Sequence, residues 1–155
     1  MTRRDQNLAV VSWQLVDTVP APARSDFRSR AVSLGPMLVG SGLAATAAFH
    51  EAKAGPGRPA KPLEQAYRIL VDALARHVLA TPGADGKALV LGVGAMDIAE
   101  YRRASADARA FALWVRRAAE ALIPRAGAGQ DTEERGIAGQ DTTGRDSAGR
   151  TGARR

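Results

Sequence analysis

Apolar residues recur every three or four positions through most of the first 123 residues, the repeat of helices with one buried face. Residues 4–19 carry Leu8, Val11, Leu15 and Val19 on one stripe, and Pro20 and Pro22 stop the segment. A second helix opens with Ser25 or Asp26 as cap and presents Phe27, Ala31, Leu34 and Leu38. Gly35-Pro36 falls inside it and predicts a kink, because proline removes a backbone donor and crowds the preceding turn. Gly40-Ser41-Gly42 punctuates the chain, and a short alanine-rich helix follows over residues 43–53. After a loop, "AGPGRPAK", the fourth helix spans residues 62–79 with Leu63, Ala66, Tyr67, Leu70, Leu74, His77 and Val78 on one side. The fifth opens at Asp97, a plausible cap, and runs to Ile123 behind Tyr101, Ala104, Ala108, Phe111, Val115, Ala118 and Leu122.

Two stretches break the pattern. "TPGADGK", residues 81–87, is predicted as a loop, and "ALVLGVGAM", residues 88–96, fits a strand, a buried turn of helix, or part of each. Past Pro124 the apolar repeat ends. The segment has one large aliphatic residue, Ile137, and contains "AGQDT" twice, at 128–132 and 138–142. Such a composition buries too little apolar surface to offset the entropy of ordering it. The expectation is therefore an all-α, single-domain bundle of about five helices over residues 1–124, with a kinked second helix, and a disordered low-complexity tail over 125–155.

Charge changes this picture from fold to partner. The net charge is +6, and 19 of the 22 basic residues are arginine. Arginine forks match phosphate oxygens and stack on bases, so the excess points toward nucleic acid. The tail holds six arginines against five acids, so nearly all the surplus belongs to the helical part. The fifth helix concentrates it: Arg102, Arg109 and Arg116 stand seven residues apart, flanked by Arg103 and Arg117. Between Arg102 and Ile123, Asp107 and Glu120 are the only acids against these five arginines, fewer than a merely solvated face would use. Arg28, Arg30 and Arg68 on the earlier helices extend the candidate nucleic-acid set. Trp13, Leu113 and Trp114 fall off the main apolar stripes and are candidates for a protein interface.

Catalytic and cofactor signals fail on context. Gly92 and Gly94 imitate part of a dinucleotide fingerprint, but the third glycine and the parallel-sheet unit are missing. His50-Glu51 lacks the second histidine of a zinc motif, and His77 lies in an apolar stripe, so both read as packing or surface residues. Gly40-Ser41-Gly42 does not have the spacing of a nucleophile elbow. No cysteine is present, which excludes disulfides and thiolate metal sites and permits a cytoplasmic location. No catalytic residue, metal, cofactor or small-molecule substrate is expected. Arg3-Arg4 with "APA" at 21–23 imitates an export signal, yet Asn7, Gln14 and Asp17 interrupt its apolar stretch. No apolar run is expected to approach the ~20 residues of a membrane span.

The order of elements resembles the small-subunit family of the Cmr complex, the type III-B CRISPR RNA-guided effector. The resemblance rests on Leu34-Gly35-Pro36 running into Gly42-Leu43, the Phe49 that follows, the Ala66-Tyr67 helix, and the closing Tyr101-Arg102 with Trp114-Val115-Arg116-Arg117. It covers residues 3–123. Ser41 stands where the family often has asparagine, arginine replaces many of its lysines, and the tail has no counterpart. The resemblance implies an all-helical, non-catalytic subunit whose copies stack into a short filament beside the subunits that hold the guide. Its partners would be other Cmr subunits, copies of itself, guide RNA and target RNA. Two other classes stay open: a free-standing helical DNA-binding protein, and an enzyme that holds a nucleotide at residues 92–94.

Overall fold

The computed structural model describes residues 2–127. The expected tail lies, but for its first three residues, outside the described residues. Among the described residues there are five α-helices, one short 3₁₀ turn and no strand. The helices are α1 (Arg3–Asp17), α2 (Arg24–Ala54), α3 (Pro62–Leu79), α4 (Gly86–Gly94) and α5 (Ile98–Leu122), with the turn at Ala21–Ala23. The domain is all-α.

Three caps follow from local sequence. Thr2 and Asp5 form a reciprocal capping box at the start of α1, and Asp97 and Glu100 form another at α5. The Asp85 carboxylate accepts from the Ala88 amide at 2.8 Å and starts α4. At α2 the expected caps Ser25 and Asp26 are already inside the helix. The 3₁₀ turn runs straight into it, so Ala23 is the N-cap and no side chain caps it.

The central helix is α2, on which α3, α4 and α5 pack, while α1 packs on α5. The second and third predicted helices are one 31-residue element, kinked where Gly42 leaves helical geometry at φ 83°, ψ 169°. At Pro36 the backbone stays helical, so the kink falls in the glycine pair downstream of the proline. The conformation at Gly42 is one that only glycine adopts readily, and a Cβ there would lie 3.2 Å from the Tyr101 hydroxyl. Gly42→Ala is therefore expected to destabilise the domain by about 1–3 kcal/mol in chemical denaturation. Gly40→Ala, two residues away with open space around it, is expected to be neutral or slightly stabilising.

The buried faces follow the sequence closely in α2 and α5. Phe27, Ala31, Leu34 and Leu38 of α2 and Ala104, Ala108, Phe111, Val115 and Ala118 of α5 are all in the core. In α1 the stripe is rotated: Leu8, Ser12, Val16 and Val19 are buried, while Val11 is exposed. Serine counts as polar in a pattern, yet its small side chain allows close helix approach. In α3, Leu63 faces out, and Val71, Ala73 and Ala75 widen the buried face.

Residues 88–94 are the body of α4, with Ala95 as its C-cap and no strand in the stretch, and the helix takes in the end of the predicted 81–87 loop. Gly86 explains the fit. A Cβ at this position would stand 2.8 Å from Val71 and collide with the Glu51 carboxylate. The glycine thus lets the first turn of α4 touch α2 and α3, with its amide donating to Asp72 at 2.9 Å.

One expectation about membranes is corrected. An 18-residue window within Ala21–Ala54 has a mean hydropathy of 1.5, long and apolar enough to cross a membrane by composition. Residues 31–49 contain no ionisable side chain, because glycine, serine, threonine and proline interrupt the apolar residues without adding charge. In the fold this segment lies in the helix on which α3, α4 and α5 pack.

Both histidines pack against aromatic rings, His50 in the interior and His77 half-buried. His50 is buried edge-on to Tyr67, with Nδ1 2.9 Å from the Thr46 carbonyl oxygen. His77 stacks on Phe111 at 5.1 Å. Burial holds both below the ordinary histidine pKa of 6.5, and nearby Asp107 only partly offsets this at His77. The unfolded chain therefore takes up protons at a pH where the folded one does not. Their contribution to stability is present above 6.5 and is lost as pH falls toward the depressed folded values. The melting temperature is expected to fall between about pH 7.5 and about 5.5, and less so in a His50→Gln/His77→Gln variant. Equal slopes for the two proteins would contradict this assignment.

Candidate nucleic-acid interface

The eight candidate arginines divide by what they touch. Arg102, Arg103, Arg109, Arg116 and Arg117 are exposed on α5. Successive members of the Arg102, Arg109, Arg116 line stand about 10 Å apart, from the 1.5 Å rise of the helix. Acids do little to neutralise them. Asp107 pairs with Arg4 of α1, and Glu120 pairs with Arg116 at 3.2 Å. That second pair is exposed, an arrangement worth about 0–1 kcal/mol. Arg117 lies over the Trp114 ring at 5.0 Å from its centroid. Arg109 and Arg116 also border a shallow hollow of about 160 Å³ with Gly35, Pro36 and Val39 of α2 and Ala112 and Leu113 between them.

The other three arginines make contacts inside the domain. Arg28 Nε donates to the Ile123 carbonyl at 2.9 Å and closes the end of α5. Arg30 donates to the Tyr67 hydroxyl at 3.0 Å, with its guanidinium over the same ring. Arg68 joins three elements. It donates to Glu51 at 2.7 Å, to the Gly55 carbonyl at 2.7 Å and more distantly to Asp72, whose carboxylate also takes the Gly86 amide. The Arg68–Asp72 spacing of four residues is a sign of an internal pair that the sequence displays; Glu51 and Gly55 are not visible from sequence.

Trp13 and Leu113 are each 47% exposed. Trp114 is half-buried against the core. Among the described residues no group of three or more potential metal ligands comes together. Gly92 and Gly94 lie in the last turn of α4, so the glycine pair is helical and does not form the loop that would cradle a phosphate.

A family model described as CRISPR-associated protein (Cas_Cmr5) matches residues 4–122, from the second residue of α1 to the last of α5. The chain belongs to the Cmr5 family. The match bears out the resemblance read from the Gly35-Pro36, Tyr67 and Trp114–Arg117 segments. The X-ray structure of a CRISPR-associated Cmr5 family protein from Thermus thermophilus is similar, with a TM-score of 0.63 and 25% sequence identity. The likeness covers 79% of this chain and 99% of that one. No curated protein matches. Cmr5 membership makes this chain a component of a Cmr-type CRISPR complex.

Proposed function

We propose that the chain is the non-catalytic small subunit of a type III-B CRISPR effector in the cytoplasm. Copies stack into a short filament, joined to other Cmr subunits, and the outer face of α5 lies along the channel of guide and target RNA. The observation that carries this is the five exposed arginines on α5, of which only Arg116 has an acidic partner among the described residues. Such a face contacts phosphates without reading bases, and pairing with the guide supplies sequence specificity. Arg28, Arg30 and Arg68 serve the fold in this reading, and RNA contact falls to the α5 set. Residues 1–124 are the working domain, and 125–155 are dispensable to it.

Trp13 and Leu113 belong to the protein side of the same proposal. Each is half exposed, so removing either side chain should cost the isolated domain about 1–3 kcal/mol, less than truncation of a fully buried aromatic. Trp13→Ala and Leu113→Ala are expected to fold normally and to co-elute less with the remaining Cmr subunits and guide RNA in size-exclusion chromatography. Normal assembly by both variants would remove these residues from the interface.

A further inference from the structure

A second positive site lies on a different helix from the arginine face, on the C-terminal half of α2. Phe49 is 37% exposed, unusual for phenylalanine in a domain with so few aromatic residues. Its ring is fixed from beneath. It meets His50 edge-on at 5.6 Å and Tyr67 edge-on at 6.0 Å, and those two rings meet each other at 5.3 Å. Arg30 holds Tyr67 from the other side through its hydroxyl and its ring face. Lys53, one turn along α2, places its ammonium 5.7 Å from the Phe49 centroid. The nearest acid in sequence, Glu51, is bound to Arg68 at 2.7 Å, so it does not neutralise Lys53. The result is a partly exposed ring packed on two aromatic neighbours, with a cation beside it that no acid among the described residues neutralises.

From this geometry we infer that Phe49 and Lys53 form a stacking site for one unpaired RNA base, with the adjoining phosphate on Lys53. The ligand class rests on the RNA-binding reading given above; the site itself is independent of α5. Single-stranded RNA is held by this combination of an open ring for the base and a cation for the backbone. The ammonium now over the ring is no obstacle. An exposed cation–π contact favours its closed form about two- to fivefold, whereas a base on an aromatic ring contributes about five- to 150-fold in affinity. The base therefore displaces the ammonium, and the long lysine stem lets it swing to the phosphate. A duplex keeps its bases stacked on one another and has none to offer.

The two halves of the site differ in how salt affects them. Stacking releases no counterions, so losing it lowers affinity at every salt concentration alike. Losing a phosphate contact flattens the salt dependence by about 0.7 unit per contact on a single strand. The test uses the full-length chain with labelled oligouridine and oligoadenosine of about ten nucleotides, and an RNA duplex of equal length, across a salt series. Phe49→Leu keeps the apolar volume and removes the aromatic face. It is expected to weaken single-strand binding at least fivefold with an unchanged salt slope, and to leave duplex binding alone. Phe49→Trp is expected to retain or tighten binding, and Lys53→Ala to flatten the slope by about 0.7 unit. Single-strand affinity equal to wild type in Phe49→Leu, or equal losses on single strand and duplex, would overturn the site. If the wild type bound no RNA at all, this site and the RNA-binding role would fall together. If Phe49→Leu alone had no effect while arginine replacement on α5 flattened the slope, only this site would fall.

Discussion

Phe111→Ala is expected to lower the melting temperature of the isolated domain by roughly 10–20 °C. Phe111 is fully buried and is one of the two largest such side chains in the domain. It sits at the middle of the α5 stripe and stacks on His77 of α3 with ring planes 19° apart. Truncating a buried phenylalanine costs about 3–5 kcal/mol, from lost transfer energy and the cavity left behind. A domain of this size has about 5–15 kcal/mol in all, and each kcal/mol moves the midpoint by several degrees. The loss would also unseat α5 and with it the arginine face. Phe111→Leu, which keeps most of the volume, should cost less than about 1.5 kcal/mol. Differential scanning calorimetry on the two variants checks both figures. A change in Phe111→Ala no larger than in Phe111→Leu would show that the α5 stripe does not anchor the domain.

The α5 stripe is legible because its core positions are large or alanine and its outer positions mostly polar or charged, and the start of α2 is legible because Arg28, Ser29, Arg30 and Ser33 alternate with Phe27, Ala31 and Leu34. Where that contrast fails, reading fails in specific ways. Ser12 is buried because it is small, so the α1 stripe reads one position off, through Val11. Residues 88–96 are apolar on nearly every position, which carries no period. Asp85 offers a cap for a helix there, but the fit of Gly86 against Val71 and Glu51, which seats the first turn of α4, is a tertiary fact that the sequence does not display. Pro36 points to a kink, but a proline ring can be accommodated in a continuing helix, while the positive φ at Gly42 cannot be helical. The arginine face of α5 can be read because its members share one helix. The roles of Arg28, Arg30 and Arg68 cannot, since their partners Ile123, Tyr67 and Glu51 come from distant positions in the chain.

The α5 face is tested by Arg102→Ala/Arg109→Ala/Arg116→Ala in the purified, fully assembled complex. All three side chains are exposed, so the domain should keep its stability to within about 1 kcal/mol, the loss including one exposed pair between Arg116 and Glu120. Each phosphate contact removed flattens the dependence of log affinity on log salt by about 0.7–0.9 unit, and three contacts by about two to three units. Across a fourfold rise in salt the wild type should then lose roughly 20- to 40-fold more affinity than the variant. The loss should be the same for every RNA sequence, because none of the three reads a base. Were these arginines instead paired with acids on a neighbouring subunit, assembly would weaken first, and whatever complex formed would bind RNA normally. The deciding measurement is therefore RNA affinity of intact variant complex over a salt series: a slope flattened by about two to three units is the predicted result, and a slope equal to wild type would show that this face does not touch RNA.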